Sequence, residues 1–196
     1  MTVFIGFGHR SGHGKDTAAA YLRNELLMKT TCTVKIISFA SKLKEIAQQM
    51  YGWAGLKDED HYNAHREERN IKLEPIGLTP VEIWVLVGEK FREIYPPTWL
   101  DYVVKGNHNC DVVIIPDVRH PNEVDGIWDV DGQVCKITNP RVADREGISI
   151  DDMLAGFDDW DCFFVNDKER KHLHNLMQLY TEDLITRYKL PLRESV

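Results

Sequence analysis

Several kinds of feature are scarce in this sequence, and each scarcity removes a class of function. Cysteine occurs four times, at Cys32, Cys110, Cys135 and Cys162, with no C-x-x-C pair and no histidine at ligand spacing. That scatter argues against a zinc site or a disulfide framework and for buried, reduced thiols. No apolar run has the length of a membrane span. The N-terminal stretch is short, lacks a basic leader and breaks at Gly8, so a soluble, cytoplasmic protein without a membrane partner is expected. An excess of positive charge is missing too: 24 Lys and Arg face 31 Asp and Glu, a net charge of −7. Such a balance disfavours binding to nucleic-acid polymers but leaves room for a local basic pocket that takes a small phosphorylated ligand. Internal repeats, low-complexity tracts and linkers are absent, and 196 residues suit one well-filled domain, 1–196.

What is present is an alternation of two patterns. Short apolar runs at 2–7, 33–39, 111–116, 133–138 and 161–165 read as buried strands. Segments with helical periodicity lie at 16–28, 41–51, 80–94, 97–106, 121–130 and 168–190. Strands that are apolar nearly throughout and alternate with helices argue for a parallel sheet covered on both faces. Two polar insertions fit neither period, 52–74 and 139–159. Long polar insertions beyond the strand ends of an open sheet are where substrate loops and lids lie, although each also reads as a solvated surface loop.

The first predicted strand runs into GHRSGHGKDT, residues 8–17, and then into a helix. A glycine-rich turn between strand and helix, with lysine at the junction, is the layout of a phosphate cradle. The usual spacing, G-x-x-x-x-G-K-[ST], is broken twice. His9 stands where the outer glycine belongs, with Gly8 one place further out, and Asp16 follows Lys15 with the hydroxyl delayed to Thr17. The inner turn, Gly12-His13-Gly14-Lys15, remains. Lys15, facing solvent, would then serve the β- and γ-phosphates and Thr17 would hydrogen-bond a phosphate. Asp16 would face Mg²⁺ through water, or sit at the helix start as a carboxylate favoured by the dipole. Arg10, Ser11, Gly12, His13, Gly14, Lys15, Asp16 and Thr17 are thus the expected ATP-binding loop. No third ligand accompanies His9 and His13, which read as loop residues.

G-K-D-T after a first strand resembles the deoxynucleoside monophosphate kinases of tailed phages, and more distantly the animal-type phosphomevalonate kinases. SFASKLKEIA (38–47), VGEKFREIYPPTWLDYVV (87–104), IIPDVRHPNEVDGI (114–127) and FFVND (163–167) resemble segments of the phage enzymes in the same order. The His and Glu that commonly follow the fourth strand there are not evident here. The resemblance implies a P-loop three-layer αβα fold whose five-stranded parallel sheet has the order 2-3-1-4-5. It also implies an acceptor-binding region at 52–110 and a lid-like segment at 139–159.

The residues fit phosphoryl transfer, which needs cations on the acceptor phosphate and on the migrating group. Asp117, ending the third strand, suits a Mg²⁺ water or the orientation of Arg119, and Arg119 can reach the transferring phosphoryl group; a structural ion pair is the other reading. Lys44, Arg66 and Arg92 are candidate clamps for the acceptor phosphate, together with Arg119. Trp99 is either a platform for the acceptor base or a core residue. Arg141 and Arg145 would close over ATP phosphates, and Asn166, with Asp167, would border the adenine.

The resemblance implies transfer of the ATP γ-phosphoryl to a deoxynucleoside monophosphate with Mg²⁺. It implies a cytoplasmic enzyme, in the host cytoplasm if phage-encoded, and leaves a homodimer open. The alternatives are a kinase for phosphomevalonate or dephospho-coenzyme A, and a P-loop switch that binds nucleotide without turnover.

Overall fold

The computed structural model describes residues 2–106, 108–143 and 153–194. Strand β1 (Val3–Gly8, VFIGFG) is buried along almost its whole length because it is the central strand. It pairs in parallel with β3 (Val112–Val118) on one side and β4 (Gln133–Thr138) on the other. The short β2 (Val34–Ile36) extends the sheet beyond β3 and β5 (Cys162–Val165) extends it beyond β4, both in parallel. The order is therefore β2-β3-β1-β4-β5, as expected.

Side chains alternate across a strand, so consecutive apolar residues need cover on both faces. On one face Ile5 and Phe7 join Ile114, Cys135 and Ile137 under two helices, α1 (Lys15–Lys29) and α7 (Arg170–Tyr188). Helix α1 contributes Ala18, Ala19, Leu22 and Leu26, and α7 contributes Leu173, Met177, Tyr180 and Leu184. Both sets recur at helical spacing along one face. On the opposite face, glycine in β1 makes room. A Cβ on Gly6 would lie 2.8 Å from Ile127 of α6 (Pro121–Trp128), and one on Gly8 would lie 2.5 Å from the Trp160 ring.

The β1–β3 pairing slips near its end. Gly6 pairs with Ile115 but Gly8 with Val118, so Pro116 and Asp117 together oppose Phe7. Such a bulge re-aims a side chain at a strand end, and here the residue concerned is Asp117. Strand β2 is shorter than the expected run 33–39. Ser38 ends it by accepting a hydrogen bond from the Ala40 N–H (3.0 Å), which starts α2 (Phe39–Tyr51) at Phe39.

The chain divides into two compact units, Met1–Ile37 with Val104–Val196, and Ser38–Val103. The second has its own small core of Ala47, Leu56, Tyr62 and Ile83. Its polar insertion 52–74 folds into α3 (Glu59–Ala64) and two 3₁₀ turns, Gly52–Ala54 and Arg66–Asn70. Helix α4 (Pro80–Ile94) opens with a capping box: Thr79 Oγ1 accepts from the Glu82 N–H, and Glu82 Oε2 accepts from the Thr79 N–H. Helix α5 (Thr98–Val104) closes the unit. The four cysteines carry free thiols, with Cys32, Cys110 and Cys135 buried. Among the described residues, no helix is long and apolar enough to cross a membrane.

Candidate functional site

The stretch 8–17 leaves the end of β1 and enters α1 through three left-handed residues: His9 (φ 91°), Gly12 (φ 83°) and Gly14 (φ 103°). Glycine adopts such angles freely, whereas histidine does so at a cost of about 1–2 kcal/mol. His9 stands at the place of the absent outer glycine, so the left-handed turn has not moved outward with Gly8. A histidine carries it, while Gly8 is needed for the close approach of Trp160.

Gly14 is the N-cap of α1, and its carbonyl accepts from the Ala18 N–H (2.9 Å). The first N–H groups of a helix have no intrahelical acceptor, and together with the dipole they attract an anion. Lys15 was expected to face solvent, but it is only 6% exposed. Its ammonium folds back and donates to the carbonyls of His9 (2.8 Å) and Arg10 (2.7 Å). The loop is thereby closed on its own lysine. Asp16 and Thr17 are exposed in the first turn of α1, and Arg10 and Ser11 are half-buried.

Two further contacts hold the loop, and neither was anticipated. His13, read as an ordinary loop residue, is 5% exposed, and its Nδ1 accepts from the Asn139 N–H (3.0 Å) beyond β4. Asn166, just past β5, donates its amide to the His13 carbonyl (3.1 Å), while its own N–H donates to Thr138 (2.7 Å). A Cβ on Gly14 would lie 2.6 Å from that Asn166 amide. Asn166 is thus wired to the loop itself. His13 gives no sequence signal, because its partner is 126 residues away. Beside it, Thr138, Asn139, Pro140, Val142 and Val165 border an open pocket of about 410 Å³. Arg141 is exposed there, its N–H donating to Asn139 Oδ1 (3.0 Å), and Arg145 lies outside the described residues.

Asp117 and Arg119 stand at the β3 exit, half-buried. Glu123, 3% exposed, turns back so that its Oε2 accepts from the Arg119 N–H (2.8 Å) and the His120 N–H (3.1 Å). The Glu of D-x-R-x-x-x-E is therefore a helix cap that fixes the backbone of the arginine. A Pro at the first helical position with Glu two places on is the signal by which such a cap could have been read.

The electrostatics of the loop are positive. Burial, and then the charges of Lys136, His13, Arg10 and Lys15, push the His9 imidazole down to about 4, so it is neutral near pH 7. His9 and His13 meet edge to face, with centroids 5.2 Å apart. Among the described residues, no group of three or more His, Cys, Asp or Glu is arranged to hold a metal ion.

In the second unit, Lys44 pairs with Glu59 (2.5 Å) and lies 5.4 Å from the centroid of Trp84. Arg66 is exposed in its 3₁₀ turn, and Arg92 lies half-buried in the last turn of α4. Trp99 is 3% exposed; its N–H donates to the Gly88 carbonyl (3.2 Å) and its ring meets Phe91. Of its two expected roles, this is the core one: no ring face is left for a base.

No protein-family model matches the chain. Among curated proteins it is similar to one from Acanthamoeba polyphaga mimivirus named "Putative deoxynucleotide monophosphate kinase". The two are 27% identical over 183 residues, an alignment covering 85% of this chain and 89% of that protein. Among solved structures, an unliganded sugar kinase from Janibacter sp. HTCC2649 aligns at 13% identity and a TM-score of 0.43. That alignment covers 97% of this chain and 96% of the other, a likeness too loose to bear on fold or chemistry.

Proposed function

We propose that this chain is an ATP-dependent phosphotransferase that converts a deoxynucleoside monophosphate to its diphosphate, with ADP as the second product. The observation that carries the reading is Lys15, held on two loop carbonyls where two left-handed glycines deliver the chain into a helix N-terminus. Such a cradle fits a polyphosphate. The D-x-R turn at the neighbouring strand end speaks for transfer rather than mere binding, because a switch needs no cation for a migrating group. The name of the mimiviral relative and the order of the G-K-D-T and D-x-R segments favour a nucleotide acceptor.

In this reading Arg10 to Thr17 hold the donor phosphates, and Lys15 leaves the loop carbonyls to meet them. Arg119 stabilises the transferring group. An acceptor phosphate oxygen forms a bond to the γ-phosphorus as the bond to the β,γ-bridging oxygen breaks, and ADP leaves without a covalent enzyme intermediate. Lys44, Arg66 and Arg92 bind the acceptor phosphate. Mg²⁺ suits the site because it takes one or two carboxylates with substrate phosphates and water rather than a protein cage, and Asp16 and Asp117 supply those carboxylates. When bound, it would neutralise phosphate charge.

The burial of Trp99 removes a base platform, and with it one argument for nucleotides over other phosphorylated acceptors. An ADP-release assay over the common nucleoside and deoxynucleoside monophosphates, phosphomevalonate and dephospho-coenzyme A decides. Turnover confined to deoxynucleotides supports the proposal; turnover with only a non-nucleotide acceptor replaces it; ATP binding without any turnover leaves a nucleotide switch.

A further inference from the structure

Lys136 has no assigned part, yet its position is unusual. It lies in β4 in register with Gly8 of β1, which is in register with Val118 of β3. That rung is the last before β1 becomes the loop, and Arg119 is the next residue after Val118. Neighbours on a rung face the same side of a sheet. The space above Gly8 is filled by the Trp160 ring, and the Lys136 ammonium lies 5.8 Å from the centroid of that ring. Trp160 itself is buried, and its N–H is taken by the Phe157 carbonyl (2.7 Å). The lysine ammonium therefore stands beside a fixed indole at the strand end that leads into the loop.

Among the described residues, its charge has no protein counter-ion. Lys29, Lys42, Lys44 and Lys90 each meet a glutamate. The Lys136 side chain, among the described residues, makes no hydrogen bond or ion pair, and its ammonium lies against the Trp160 ring. It is half-buried between the fully buried Cys135 and Ile137. A partly desolvated ammonium without an anion is costly, and more so beside Arg10 and Lys15. Its charge is also the foremost one disfavouring protonation of His9. An anion arriving at the loop would relieve all of this.

We infer that Lys136 is a second ammonium for the triphosphate, contacting oxygens of the terminal phosphoryl group at the loop end next to Arg119. This rests on the phosphotransferase reading. The inner phosphates are served by loop N–H groups and the α1 N-terminus. The rung shared with the D-x-R strand belongs instead to the group that migrates. Lys136 thus discriminates ATP from ADP, holding the first and releasing the second.

The test is equilibrium binding of the β,γ-imido analogue of ATP, and of ADP, to the wild-type protein and to K136M, K136Q and K136R, each checked by thermal melting. K136M keeps the stem and loses the charge. Losing one charge-assisted phosphate contact should weaken the analogue about 10- to 100-fold, with ADP affinity almost unchanged. K136R should retain most of the preference for the analogue. If K136M does not fold, K136Q carries the same comparison. Equal loss of both ligands, or loss of neither, overturns the inference while leaving the phosphotransferase reading intact. A wild-type protein that binds neither ligand overturns both.

Discussion

The loop 8–17 and the cationic residues of the second unit are built in opposite ways. In the loop, backbone dominates: Lys15 is held by two carbonyls, His13 by a backbone N–H, and Asn166 by the His13 carbonyl. In the second unit, side chains dominate: Lys44 is held by Glu59 and lies over Trp84, while Arg66 is exposed. A backbone cradle is aligned before its ligand arrives and reorganises little, which suits a polyphosphate that is always the same. The pair is partly buried but still reached by solvent, so Lys44 can exchange Glu59 for a ligand oxygen without leaving a charge stranded. In the proposed reading, side chains of that kind are the part that can vary with the acceptor.

The largest effect that would break this contrast is expected at Lys15. Lys15→Ala should lower kcat by about 10²–10³ while circular dichroism and melting remain near wild type. A folded variant with near-normal turnover would remove the cradle from the chemistry. Next comes Arg92→Ala, expected to raise the KM of the monophosphate by about 10- to 100-fold and to leave binding of an ATP analogue unchanged. The reverse pattern, with the analogue lost and the monophosphate kept, would mean that the second unit does not serve the acceptor.

A smaller effect sharpens the account of the backbone. Gly14→Ala meets both a φ of 103° and the Asn166 amide at 2.6 Å. The backbone alone should cost about 1–2 kcal/mol, a melting temperature lower by roughly 2–8 °C. Asn166→Ala in the same chain removes the clash, so the double variant should lose less than the sum of the single losses. Additive losses would mean that Asn166 does not press on the loop.

The smallest effect concerns His9, whose proton affinity falls in the fold from 6.5 to about 4. Between those values the unfolded chain takes up a proton that the folded chain refuses, so stability is full above pH 6.5 and declines towards pH 4. His9→Gly should flatten that decline in melting temperature and, by relieving the left-handed angle, raise melting slightly at pH 8. Parallel curves for the two proteins would show that His9 does not titrate as described.

Much of the frame was legible because it depends on local pattern. The five apolar runs became the five strands, and Gly12 and Gly14 adopted the left-handed angles that a phosphate turn needs. Where a residue's role depends on what packs against it, the pattern failed. Lys15 looked solvent-facing because lysines usually are, but the loop carbonyls take its ammonium. Trp99 carried two readings at equal spacing, and only its neighbours Gly88 and Phe91 separate them. The insertion 52–74 was polar without a period because its helices are too short to display one.

From the sequence by itself came the alternation of strands and helices and the loop that joins the first of each. These follow from side-chain periodicity and glycine backbone freedom, properties of a few adjacent residues. Only the tertiary structure decided that Gly8 yields to Trp160, that His9 bears the turn instead, that His13 and Asn166 tie the loop to the ends of β4 and β5, and that Lys136 shares a rung with Gly8. Apart from the His9 turn, each of these joins residues more than a hundred positions apart, and the register of a parallel sheet, set by core packing on both faces, is what brings them together.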